Sequence, residues 1–200
     1  MVDVDIDTAR EDDLSTLAEL WLEAFPREFT HLMGPAAERL VPAWLQQVPH
    51  IYSGTYLARA GTAVAGYIQV NTRESYPGAK GALTLFSIAR RHLGGIKALG
   101  CLARLAFSEF RTPAENELFV KMLGVNRGWR RQGIGELLLQ HAESHARTLA
   151  LRKLCIGVVV DNVPAIRLYE RFGFVRESEH AFLTRWSSGS PGYYILVKKL

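Results

Sequence analysis

Between Leu14 and Phe25 apolar residues recur at helical spacing, at Leu14, Leu17, Leu20, Trp21 and Phe25. Such a stripe predicts an amphipathic helix, with Asp12 or Asp13 as its cap. PAAERLVPAWLQQ predicts a second short helix, bent at Pro42. In TYLARAGTAVAGYIQV the pattern changes to two strand-like runs about a turn at Ala60 to Thr62, an antiparallel hairpin. After the turn-rich TRESYPGAKG, residues 83–110 form an apolar, helix-leaning block broken at Gly94-Gly95, and Pro113 ends it. ELFVKMLGV is a predicted strand. GELLLQHAESHARTLAL is a predicted helix, with Leu137, Leu138, His141, His145 and Leu149 near one face. KLCIGVVV is almost wholly apolar and predicts a strand buried on both faces. VPAIRLYERF predicts a helix, with Pro164 in its first turn and Gly173 at its end. The tail, AFLTRWSSGSPGYYILVKKL, predicts two strands about a Gly/Ser/Pro loop. The alternation of these elements implies an α/β fold, an α+β mixed sheet in one domain.

Composition narrows the function classes. At 200 residues, 48% hydrophobic and 22% charged, the chain can bury a core and is taken as one domain over residues 1–200. No apolar run approaches the roughly 18–20 residues of a membrane span. The start, MVDVDIDTAREDDL, is acidic where a signal peptide would be basic and then apolar, which favours the cytoplasm. Cys101 and Cys155 sit in apolar surroundings outside any metal-type cluster and are read as reduced core residues, so no metal is expected. The net charge of +4 is local: residues 81–111 carry Arg90, Arg91, Lys97, Arg104 and Arg111 against Glu109 alone. A nucleic-acid binder would need basic residues with interleaved aromatics along one exposed face; here the basic stripe lies on an otherwise apolar segment, so a nucleic-acid partner is not expected.

The chemistry concentrates at RRQGIG, where a strand gives way to a helix. A helix start exposes unpaired N–H groups and a partial positive charge. Glycines let a ligand approach that backbone. With Arg130 and Arg131 the turn makes a phosphate site; on its own residues it is equally a flexible helix cap with solvated arginines. It is neither GxxxxGK[ST] nor GxGxxG, which disfavours nucleotide triphosphates and dinucleotides.

VDNVPAIRLYERFGFV follows the next strand. Strand–RxxGxG–helix (Arg130, Gly133, Gly135), then a strand and Asn162, Ala165, Ile166, Leu168, Tyr169, Glu170, Gly173 and Phe174, resembles the GCN5-related N-acetyltransferase superfamily. The specific match covers about residues 118–175, the expected cofactor core, with a helical insertion at about 81–111. The resemblance implies a single acyl-CoA N-acyltransferase domain with acetyl-CoA as cosubstrate and a small-molecule or peptide amine as acceptor. It implies that the backbone of Arg131, Gln132, Gly133, Ile134 and Gly135 holds the CoA pyrophosphate, beside Arg130. Main-chain groups of Leu123 and Val125 would take the pantetheine amides, which requires their strand to splay from its neighbour. Asn162 would contact the CoA arm from the other side, and Tyr169 would present its hydroxyl to the thioester sulfur, easing thiolate departure. A backbone N–H, at Val125, would serve the oxyanion. A non-catalytic CoA-binding module of the same fold and a basic nucleic-acid binder are the rival readings.

Two departures stand out. Where members that acetylate protein N-termini carry a glutamate in the strand ahead of the Asn motif, this chain has Gly157. Glu28, His31 and Glu74 are read as surface groups and Glu117 as an exposed strand-start residue, so the general base is unassigned. The second departure is the insertion. With Ile96 to Arg111 taken as a helix, Lys97, Arg104, Ser108 and Arg111 share a narrow face and apolar residues fill most of the rest. Packing on the domain or a homodimer contact is the first expectation for that surface, a lid over the acceptor site the next, and a membrane-surface role the last.

Overall fold

The computed structural model describes residues 4–47, 52, 54–76, 78–108, 111–181 and 189–200. The chain runs β1 (Asp5–Thr8), α1 (Leu14–Ala24), α2 (Pro26–Met33), α3 (Ala37–Gln47), β2 (Thr55–Ala60), β3 (Ala63–Asn71), α4 (Gly78–Leu93), α5 (Gly95–Ser108), β4 (Glu117–Val125), α6 (Ile134–Thr148), β5 (Lys153–Val159), α7 (Val163–Arg171), β6 (Val175–His180) and β7 (Tyr193–Lys199). The strands form one seven-stranded sheet in the order β1-β2-β3-β4-β5-β7-β6. Its pairs are antiparallel except β4 with β5, which α6 joins as a crossover.

Alternation in the central strands sends side chains to two cores. Leu57 and Tyr67 face a core built with α1 to α5, whereas Ala58 and Ile68 face one built with α6 and α7. The stripe of α6 that packs on the sheet is Ile134, Leu138, Leu139, Ala142 and Ala146. Gly66 admits this helix closely, since a Cβ there would lie 3.1 Å from Ile134 Cγ2 and 2.8 Å from the Gly124 carbonyl oxygen.

Several expectations need correction. Asp13 stands at the head of α1, but its carboxylate accepts from the Arg10 amide and from Arg59 rather than from an α1 amide. β1, α2 and β6 were not foreseen. The strand expected at the start of the tail falls mainly on residues 182–188, outside the described residues, and β6 lies ahead of it. The helix expected from Ile96 to Arg111 ends at Ser108. Arg111 belongs instead to a buried ion pair: Glu117 is 3% exposed and accepts from Arg111 at 2.7 Å and from the Ala114 amide at 3.1 Å. Burial raises the Glu117 carboxyl, but these hydrogen bonds and the Arg111 charge outweigh it and hold it below the usual carboxylate range.

α4 and α5 form a helical hairpin about Gly94, whose φ of +82° suits glycine. The hairpin packs on α2 and α3, with Trp44 Nε1 donating to the Gly81 carbonyl at 3.3 Å. No helix among the described residues is long and apolar enough to cross a membrane.

Candidate active site at the β4–β5 opening

β4 is two stretches joined end to end. From Glu117 to Val120 it pairs with Lys153–Ile156 of β5, and from Phe119 onward it also pairs with β3 on the other side. Beyond Val120 the pairing with β5 stops, while pairing with β3 continues to Val125. A bulge marks the change: Val70 faces Val120 and Gln69 faces Met122, leaving Lys121 as the extra residue. The Asn126 amide donates to the Ala65 carbonyl at 2.9 Å. By strand alternation Gly124 and Met122 then also point their backbone groups at β3. Leu123 and Val125 consequently turn their N–H and C=O groups toward β5, where no strand among the described residues meets them.

The chain leaves this edge through the turn that ends in α6. Arg131 has φ +63° and Gly133 φ +85°. Left-handed residues so close together gather backbone amides into a concavity that suits an anion. The first intrahelical bond runs from the Leu137 amide to the Gly133 carbonyl, so the amides of Ile134, Gly135 and Glu136 have no acceptor in the helix. Arg130 folds back, its Nε donating to the Val125 carbonyl at 3.1 Å and its Nη2 3.8 Å from Glu23. Glu23 also accepts from the Arg127 amide at 2.7 Å, and Gln132 Nε2 donates to the Gly128 carbonyl at 3.1 Å. Arg130 and Gln132 thus brace the turn, and Arg131 is exposed beside it. Gly135 is a close approach: a Cβ there would lie 3.0 Å from Leu168 Cδ2 and 3.8 Å from Val125 Cγ2.

α7 closes the other side. Asn162 caps it, Oδ1 accepting from the Ala165 amide at 3.3 Å. Tyr169 is 5% exposed and packs against Phe174. Burial pushes its phenol well above the ordinary range, so it stays a proton donor at neutral pH. Leu168, its neighbour, touches the point where Gly135, Leu123 and Val125 converge.

Beyond the end of β5, Arg27, Glu28, Val159, Asp161 and Asn162 line a cavity of about 320 Å³. Arg27 of α2 spans it, donating to both Asp161 carboxylate oxygens at 2.5 and 3.0 Å. His31 lies next to Gly189 in the segment leading into β7. Glu74 sits in the exposed turn after β3, and Gly157 pairs with Ile195. The residues expected for the cofactor come together at one opening; Glu74 and Glu117 lie apart from it. Sequence reasoning missed Arg27, Asp161, Glu23 and Tyr67. The isolated glycine in ELFVKMLGV was a signal for the last, because a strand glycine marks a close approach: a Cβ on Gly124 would lie 2.5 Å from Tyr67 Cε1 and 2.9 Å from Ala24 Cβ.

The family model for the acetyltransferase (GNAT) family matches residues 14–174. The chain belongs to the GNAT family. Mycothiol acetyltransferase of Corynebacterium glutamicum (strain R) is 32% identical over 69 residues, 34% of this chain and 23% of that protein. Acetyltransferase Atu2258 of Agrobacterium fabrum (strain C58 / ATCC 33970) is 40% identical over 65 residues, 32% of this chain and 44% of that protein. The chain thus matches less than half the length of these relatives. A solved acetyltransferase superposes with a TM-score of 0.68 at 20% identity, over 98% of both chains. PaiA N-acetyltransferase from Thermoplasma acidophilum, solved in complex with coenzyme A, superposes at 0.59 with 16% identity over 99% of both. These likenesses establish a GNAT fold with a mixed seven-stranded sheet. Acetyl-CoA is the cosubstrate of the family, and the free amides at α6 and the open edge of β4 fit its phosphates and amides.

Proposed function

We propose that this chain is an N-acetyltransferase that moves the acetyl group of acetyl-CoA to a primary amine by direct attack, with both substrates bound. The observation that carries this reading is the end of β4–β5 pairing at Val120 and Ile156, directly beside a helix start with free amides. Leu123 and Val125 take the pantetheine amides as a missing strand would. The turn from Arg131 to Gly135 receives the pyrophosphate, with Arg130 holding its base. Asn162, besides capping α7, borders the CoA arm.

In the transfer the amine nitrogen bonds to the acetyl carbon, the carbon–sulfur bond breaks, and its electron pair leaves on sulfur. The protonated Tyr169 hydroxyl hydrogen-bonds or protonates that sulfur, and the amine's surplus proton passes to solvent. A covalent acyl-enzyme has no candidate among the cysteines. Cys101 and Cys155 are buried, and burial, aided by Glu117, pushes the Cys155 thiol up to about 12. Acetyl-CoA with a panel of polyamines, amino acids, aminoglycosides and short peptides tests the reading by release of free CoA thiol. Amine-dependent release is expected; a protein that binds acetyl-CoA yet releases no thiol with any amine would make the chain a binding module instead.

A further inference from the structure

Tyr67 is wholly buried in the centre of β3, and its hydroxyl has no hydrogen-bond partner among the described residues. An orphaned hydroxyl in a core carries a desolvation cost, which a phenylalanine of the same shape would avoid. Its ring position explains the exception. Tyr67 stands opposite Gly124 in the register, and the far end of its ring lies over that glycine: the space of a Gly124 Cβ is 2.5 Å from Cε1 and 3.0 Å from Cζ. The ring therefore reaches from β3 to β4, and its hydroxyl lies one bond past Cζ, beside the stretch of β4 that β5 has left. Gly124 falls between Leu123 and Val125, the two residues whose backbone groups open into the gap. Tyr169 belongs to the core on the opposite face of the sheet. The two phenols sense each other electrostatically: burial first, and then Tyr169, raise the Tyr67 hydroxyl, which stays protonated.

We propose that the Tyr67 hydroxyl is a catalytic donor to the acetyl carbonyl oxygen, acting beside the Val125 N–H, and that Gly124 lacks a side chain to let it through. The inference rests on the acetyl-transfer reading above. An O–H without an acceptor is suited to an oxygen that becomes anionic only as the amine attacks. Tyr169 would then serve the leaving sulfur from one face and Tyr67 the carbonyl oxygen from the other.

The test is the carbonyl stretch of bound acetyl-CoA carrying ¹³C at its carbonyl, by isotope-edited infrared spectroscopy, in wild type, Tyr67→Phe and Tyr169→Phe. Tyr67→Phe should move the band to higher wavenumber and leave CoA affinity unchanged. Its melting temperature should equal or exceed that of wild type. Tyr169→Phe should leave the band in place. With an amine that supports turnover, Tyr67→Phe should lower kcat on the order of 100-fold. A band unmoved in Tyr67→Phe, or moved equally by both variants, overturns the proposal while leaving acetyl transfer standing. Wild type that binds no acetyl-CoA ends the transfer reading and this inference with it.

Discussion

The two halves of β4 show how one strand can be both scaffold and site. Glu117 to Val120 is buried throughout, paired with β5 along its length and with β3 from Phe119, and anchored by an ion pair. Lys121 to Val125 is mostly half-buried and paired on one edge. Adjacent residues of one element thus divide the labour, and the bulge at Lys121 is where the division falls. A sheet closed along its whole length would have no main-chain groups to offer a ligand. One open along its whole length would not hold those groups in place. Mutations in the two halves should accordingly separate stability from chemistry.

The largest effect is expected in the closed half. Glu117→Gln leaves Arg111 beside a neutral partner and should lower stability by about 3 kcal/mol, the low end for breaking a buried pair because Arg111 is 29% exposed. The sign with pH follows from the depressed Glu117 carboxyl. Its stabilisation is complete above the ordinary glutamate range and is lost as pH falls through the lower folded value. Denaturant titrations from pH 6 down to 3 should show wild type losing an increment the variant lacks. Per folded molecule, turnover should be unchanged; a variant slowed as strongly as it is destabilised would dissolve the distinction between the halves.

Across the opening the pattern should invert. Tyr169→Phe should reduce kcat on the order of 100-fold while stability and acetyl-CoA affinity stay near wild type. The hydroxyl matters when charge develops on sulfur, not while the cosubstrate sits bound. Near-native kcat with chemistry rate-limiting would remove Tyr169 from the reaction.

Gly133 sharpens the comparison at the turn itself. Space is not the constraint there, since a Cβ would meet nothing within 4 Å; the constraint is φ +85°. Gly133→Val forces a branched residue into a left-handed conformation that disfavours L-residues by roughly 1–2 kcal/mol. Re-forming the turn should weaken CoA binding about tenfold, read by calorimetry, with the melting temperature little changed. An unchanged Kd would move the phosphate site away from these amides.

What was legible in the sequence follows the same line. Local chemistry could be read directly: paired glycines at a helix start, an apolar run for β5, Pro164 in the first turn of α7. Polar edge elements could not. VRESEH shows no apolar alternation because β6, among the described residues, pairs with β7 alone and stays largely exposed. DIDT is four residues at the opposite edge. Glu117 was misplaced because period-two alternation predicts a face but not the arrival of Arg111 from the preceding loop. Tyr67 looked like one more strand aromatic; its interest depends on which residue stands opposite, a matter of register that single-strand patterns leave open. The base that neutralises the amine has no sequence signal, and the groups about the cavity beyond β5 do not supply an unpaired one: Glu28 is 3.6 Å from Arg27, and Asp161 is held by it.

That clasp gives the smallest effect and the finest discrimination. Arg27 and Asp161 join α2 to the head of α7 across the cavity, and Ser190 Oγ donates to the same carboxylate at 3.3 Å. Their side chains are 47% and 38% exposed, so solvent screens the pair and Arg27→Ala should change stability by only about 0.5 kcal/mol. The Arg27 hydrogen bonds hold the Asp161 carboxyl below its usual range, so even this contribution is present at neutral pH and disappears only in acid. Its leverage is geometric, because it ties α2 to the head of α7 across the cavity at the end of β5. Arg27→Ala and Asp161→Asn should each raise the KM of a productive amine several-fold, with kcat and the Kd for CoA held. High salt should bring wild type toward the same KM, since an exposed pair is screened within a Debye length of roughly 3 Å at 1 M. A KM indifferent to both substitutions and to salt would place the acceptor's approach elsewhere along the opening.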